Sequence, residues 1–495
     1  MSSSRGQGGR GKLAAVVTAA GLMVSIAGAR CTAAAPESKA TPAARASGSQ
    51  AAPGAQLWLS RYDGRAHTYP VPTAIAASPD GSAVFVTGWS RYHSAPSDYA
   101  TVGYDAATGR QLWARSYAGP GEAADEAAAI AVSPDGRIVF VTGTSGPLNG
   151  VQEYATIAYS ASTGRQLWLR RYKGPDGYSI ARALVVGPDG KTVFVTGYAS
   201  RGVYGPGGGS DAFTTIAYDA ATGAQRWLRR YKDPANGNNQ ARNISISPDG
   251  DTVYVTGRGY GPTSRYDDLT VAYSAATGTQ LWASRYNSPA NGNDYANAVA
   301  VAPDGTSVYV AGGSRGTSGG PAFATTVAYN AVTGAQRWAA RSHGSYAAST
   351  ALYAGASLAV TPDGRRVIVA GPAIGTGSGY SAAVYNAATG AAMWTQRVLD
   401  FPCCGTLISQ TLAVSRDSST IYLTGAPAGN CCKNGTVAYA VATGTRLWLS
   451  IYNGPGNKYD WPMELALSPD GSTLYVTGQS HLRNSGGFAT IAYRA

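Results

Sequence analysis

Side chains able to do chemistry fall in few places in this sequence. Two adjacent cysteine pairs stand out, Cys403 and Cys404 in FPCCG and Cys431 and Cys432 in GNCCKNG. Thiols so placed can form disulfides in an oxidising compartment or bind a metal as four thiolates. Four histidines occur in all, none paired at ligand spacing, which argues against zinc. Carboxylates gather in short polar stretches, Asp125 with Glu126, Asp294, and Asp460, where they could hold calcium or act as acid and base. No nucleophile motif accompanies them. Tyr69, Tyr178, Tyr266, Tyr295 and Trp461 lie in or beside Gly-, Ser- and Asn-rich segments, a composition typical of binding surfaces. Arg182 and Arg242 stand near them.

The elements that position these residues are repeats. Trp58, Trp113, Trp168, Trp227, Trp282, Trp338, Trp394 and Trp448 recur at intervals of 54 to 59 residues. An SPDG-like turn keeps step, beginning at Ser78, Ser133, Gly187, Ser247, Ala302, Thr361, Ser415 and Ser468. So does the tyrosine ending a TxAY-like run, from Tyr104 through Tyr159 and Tyr218 to Tyr493. Each unit parses into four short strands: one like AIAVS, one like IVFVTG, one like YATIAY and one like RQLWLRRY. Pro-Asp-Gly closes the first hairpin and an ATG or STG turn the second.

No stretch after residue 54 has the helical period, so the expectation is an all-β, eight-bladed propeller of four-stranded antiparallel blades. The folded region opens with a lone fourth strand at 55–62 and closes with three strands. The opening strand should therefore complete the last blade and close the ring, removing two exposed sheet edges. The small residues of the first strands suit the crowded centre. The tryptophans should dock neighbouring blades.

YDAATGRQLW resembles the repeat of the pyrroloquinoline-quinone (PQQ) type propellers, in which a Thr-Gly turn leads into a strand whose Trp docks adjacent blades. VFVTG and VYVTG look like the second strand of YVTN-type bacterial surface propellers. The resemblance spans 55–495 and implies architecture, with Gly109 and Trp113, or Gly164 and Trp168, in structural roles. The same repeat serves quinoprotein dehydrogenases and non-enzymatic assembly scaffolds. Quinoprotein alcohol dehydrogenases carry a disulfide between adjacent cysteines over the quinone, beside a calcium-binding acidic set and a catalytic Asp that have no matching motif here. Three arrangements therefore stand for Cys403, Cys404, Cys431 and Cys432: two cross-strand disulfides or a four-thiolate site, from the placement of the pairs, or, as the resemblance implies, a disulfide between adjacent cysteines.

The first 54 residues are of another kind. Arg5, Arg10 and Lys12 precede the apolar run LAAVVTAAGLMVSIAGA, which reads as a secretory signal over 1–29. A lipoprotein signal ending at residue 30, with Cys31 acylated, is the alternative. Residues 30–54 form an Ala/Pro/Ser-rich linker, and 55–495 the propeller. Formal charge is +12, without a Lys/Arg block of the kind that tracks nucleic acid.

The SPDG and ATG turns share one face, and the second-to-third and blade-to-blade loops share the other. Function on such a frame collects where loops differ. The reading is an extracytoplasmic monomer that binds a protein or a cell-envelope polysaccharide through the loop face, with no cofactor and no resident metal. Two enzymatic alternatives stand beside it: a PQQ- and calcium-dependent alcohol or sugar dehydrogenase, and a polysaccharide lyase or hydrolase.

Overall fold

The structure, a computed structural model, describes residues 51–64, 68–92, 96–120, 124–146, 150–201, 210–232, 238–261, 266–289, 291–315, 322–341, 356–373, 378–401, 412–425, 433–456, 460–481 and 486–495. The proposed signal, Cys31, and the four paired cysteines lie outside these residues.

The described residues form eight four-stranded antiparallel sheets, and none of them is helical. Seven sheets use four consecutive strands. Blade 1 runs from Thr68–Ala77 to Gln111–Tyr117, blade 2 from Glu126–Val132 to Gln166–Tyr172, and blade 3 from Ser179–Val186 to Gln225–Tyr231. Blade 4 runs from Gln240–Ile246 to Gln280–Tyr286, blade 5 from Asp294–Val301 to Gln336–Arg341, blade 6 from Ser357–Val360 to Ala392–Phe401, and blade 7 from Leu412–Val414 to Arg446–Tyr452. In blade 8 the opening strand, Gln56–Tyr62, pairs with the closing strand, Gly486–Arg494, in the register Trp58 to Ala492 and Tyr62 to Phe488. The first strands touch their neighbours all round, Thr68–Ala77 against Asp460–Leu467 included, so the ring is closed with the small residues innermost.

The apolar core is divided among the joints between blades. In the joint between blades 1 and 2, Phe85, Tyr99 and Trp113 meet Val139, Ile157 and Tyr159. The Trp113 ring lies between Phe85, at 5.6 Å, and Tyr159, at 6.2 Å. Its Nε1 crosses the joint to donate to the Ala161 carbonyl at 2.7 Å. The same bond runs from Trp58 to Ala106, Trp168 to Ala220, Trp227 to Ala275, Trp282 to Ala331, Trp338 to Ala387 and Trp394 to Val441. Burying each indole contributes about 3 kcal/mol.

A second repeated device lies in the first strands. Six of them carry a β-bulge, at Thr73, Ala128, Arg182, Arg242, Asn297 and Met463. Opposite each bulge stands the glycine of the TG or AG pair in the second strand. At Gly257 an added Cβ would run into the Gln240 carbonyl oxygen, so the bulge needs a residue without one.

Candidate functional site

The turn face is closed upon itself. Asp80 accepts from Ser78 Oγ at 2.6 Å and from the Ser82 amide at 3.0 Å, and Asp135, Asp249, Asp363, Asp417 and Asp470 repeat the pattern. These hydrogen bonds hold the carboxylates below their ordinary pKa; for Asp470 the value is about 2, with the Ser468 hydroxyl the largest cause.

The loop face differs from blade to blade, although its blade-to-blade loops share one brace. Asp125, Asp294 and Asp460 are all buried, and each accepts from a loop amide: Gly119 at 2.5 Å, Ser288 at 2.8 Å and Gly454 at 2.5 Å. These three sequence candidates therefore pin loops. Around each stand a serine of the second strand and an arginine of the fourth. Arg341 donates to Ser314 at 3.0 Å, Arg61 to Ser480 at 3.2 Å, and Arg171 to Tyr117 of the previous blade at 2.8 Å.

Two further candidates are spent on each other. Tyr266 and Tyr295 pack on each other, ring centres 5.7 Å apart, and both pack on Arg258, whose guanidinium carbon lies 4.5 Å and 5.5 Å from their ring centres. Arg258 also donates to Gln240 at 2.7 Å, and Gln240 to Asp211 at 2.5 Å. Tyr295 is 2% exposed, which leaves it no surface to offer. Arg242 sits at the bulge of blade 4.

The remaining candidates come together. Trp461, Tyr69, Glu126, and Tyr178 with Arg182 lie at or near the loop-face ends of four consecutive innermost strands, those of blades 8, 1, 2 and 3. All five are half-buried. Trp461 meets His481 edge-on at 5.8 Å. Arg182 lies over Tyr198 at 5.8 Å, and Tyr198 packs on Tyr178 at 6.4 Å. Burial raises the Glu126 pKa against the opposing pull of Arg182 and Arg91. Exposed Arg91, beside the Trp89 ring at 5.9 Å, adds a second cation.

Sequence reasoning missed a joint clamp two residues after six of the eight repeat tryptophans. Arg115, Arg170 and Arg229 each reach the next blade's Thr-Gly carbonyls with Nε and Nη2, Arg170 at 2.8 Å to both Gly223 and Thr222. Ser60, Ser284 and Ser450 do the same with one hydroxyl, to Gly109, Gly334 and Gly54. Aligning the units on Trp would have shown this Arg-or-Ser position.

Among the described residues no three His, Cys, Asp or Glu side chains are grouped to hold a metal.

Set beside known proteins, the sequence matches the family of outer membrane protein assembly factor BamB over residues 27–258, 152–320 and 267–458. The chain belongs to this family. No curated protein matches it in sequence. Among solved structures, BamB from Moraxella catarrhalis is 15% identical with a TM-score of 0.50, covering 89% of this chain and 99% of that one. Sqt1 from Chaetomium thermophilum, bound to the N-terminus of ribosomal protein L10, is 14% identical with a TM-score of 0.56, covering 88% and 98%. Quinohemoprotein alcohol dehydrogenase from Comamonas testosteroni is 15% identical with a TM-score of 0.52, covering 88% and 76%. At these identities the likeness is one of fold, which scaffolds and an oxidoreductase share.

Proposed function

We propose that this BamB-family propeller is a binding scaffold that works outside the cytoplasm and holds a protein partner on its loop face. The observation that carries the reading is the arc of Trp461, Tyr69, Glu126, Tyr178 and Arg182 on consecutive innermost strands. Trp, Tyr and Arg are the residue types on which binding energy concentrates, and half-buried side chains are already partly ordered before a partner arrives. The mixture of Arg91, Arg182 and Glu126 suits a polypeptide carrying both charges and apolar side chains. The signal-like residues 1–29 support export. A catalytic reading draws less support, because Asp125, Asp294 and Asp460 each give an oxygen to a loop amide.

Site-specific photo-crosslinking in the native host tests this. A crosslinker placed at Tyr178 or Trp461 should capture a discrete protein, whereas one at Ser82 or Arg137 on the turn face should not. Capture from the turn face, or capture of polysaccharide alone, would overturn the proposal.

A further inference from the structure

In one joint a charge takes a place that four other blades give to a ring. The third strands of blades 1, 2, 3 and 8 place an aromatic ring opposite the last tyrosine of the fourth strand: Tyr99 with Tyr117, Tyr154 with Tyr172, Phe213 with Tyr231, and Phe488 with Tyr62; in blade 7 that place holds Asn434, opposite Tyr452. Those rings fill the joint to the next blade, and the Tyr99 and Tyr154 hydroxyls cross it to the carbonyls of Ala155 and Thr214. In blade 4 the same register position, opposite Tyr286, is Asp268. A carboxylate thus stands where a ring would, with far less volume.

Asp268 is 2% exposed and Asp294, across the joint in blade 5, is 0% exposed. Oδ1 of each has no hydrogen-bond partner; for Asp294 this is shared with Asp125 and Asp460 of blades 2 and 8, and Asp268 adds a second buried carboxylate here. The buried hydroxyls of Ser288 and Thr325, on the same joint, are also without partners, as is that of Tyr329 in common with Tyr104, Tyr273 and Tyr493 of other joints. Neighbouring cations are engaged elsewhere: Arg285 pairs with Asp267 at 2.8 Å, and Arg341 bonds Ser314 and lies over Phe323. Two buried carboxylates with free oxygens, and hydroxyls around them, are costly unless something positive sits between them.

We propose that the joint between blades 4 and 5 is a binding site for a small hard cation, calcium, with Asp268 and Asp294 supplying the charge. The unpartnered donors are all oxygens, the preference of calcium, and Ser288 and Thr325 add neutral ligands. Burial and the neighbouring Asp294 and Asp267 raise the Asp268 pKa well above its ordinary value, which bound calcium would reverse. The site lies in a joint, away from the arc of Trp461, Tyr69, Glu126, Tyr178 and Arg182, so it stabilises the ring whichever partner the loop face takes.

The full chain, stripped with chelator, tests this with terbium and calcium as probes. One equivalent of terbium should show emission sensitised through the nearby tyrosines and displaced by calcium. Millimolar calcium should raise the unfolding midpoint by about 2–4 °C. Asp268→Phe, which restores the ring found at Phe213 and Phe488, should fold and lose both effects; Asp294→Asn should lose the terbium signal. Absence of stoichiometric metal and of any shift in the parent chain would overturn the proposal, as would calcium stabilisation that survives Asp268→Phe.

Discussion

Gly54 lies against the Trp448 indole, where an added Cβ would stand 2.9 Å from Cδ2 and Cε3. This is the relationship of Gly109 to Trp58 and of Gly334 to Trp282, but in those joints the glycine belongs to an unbroken turn. Between blades 7 and 8 the turn is formed by two segments distant in sequence, joined by a 2.7 Å backbone bond from Gly54 to Arg494. With φ at +78°, Gly54 also holds a backbone form that a side chain resists. Gly54→Val should cost about 2–4 kcal/mol, read by urea unfolding. An unchanged midpoint would mean that the ring does not depend on this closure.

Arg170 offers a graded test of the joint clamps. Arg170→Ala removes two charge-assisted bonds to backbone carbonyls across the joint, with a third to Leu169, and should destabilise by about 1–3 kcal/mol. Arg170→Ser should recover part of that loss, because Ser60 and Ser284 hold the equivalent glycine carbonyl with one hydroxyl. Equal losses in the two variants would assign the effect to side-chain packing.

At the bulge of blade 4, Gly257→Ala should be among the most damaging single-methyl additions in the chain, since the new Cβ meets backbone rather than a movable side chain. A loss of about 3 kcal/mol or more is expected by thermal or urea unfolding. A neutral result would show that the first strand can shed its bulge.

Acid and base should act on different carboxylates. Asp211, Asp268, Asp294 and Glu126 have pKa values raised chiefly by burial, so each favours its neutral form in the fold. Their contribution is complete below the unfolded carboxylate range and fades as pH rises through the raised values. Asp219 and Asp470 are lowered to about 2, and their contribution fades as pH falls from the ordinary range towards that value. In chelator, thermal midpoints should therefore fall on both sides of a mildly acidic maximum, and Asp268→Asn should flatten the neutral limb. A parent curve level between pH 5 and pH 8 would contradict the assignment.

How far the sequence reached depends on range. The Trp, SPDG and TxAY markers are local patterns, and local patterns fix strands, turns and their number, so the eight blades and the opening strand's place in the last one were legible. The candidate site was legible only as a set of residues on one face. Asp125 and Trp461 look alike in a sequence, both polar-loop neighbours of a first strand. One turns inward to a loop amide 2.5 Å away and the other stays half-exposed beside His481.

By itself the sequence determined the repeating meander, the closed ring and the separation of a uniform face from a variable one, because each follows from spacing along the chain. Only the tertiary structure decided what the charges do. It packed Arg258 against Tyr266 and Tyr295, spent Arg115, Arg170 and Arg229 on the next blade's carbonyls, and put Asp268 where four other blades place a ring. The reason is physical: burial and partner choice arise between blades about 55 residues apart in sequence, and no residue carries the identity of its neighbour across a joint.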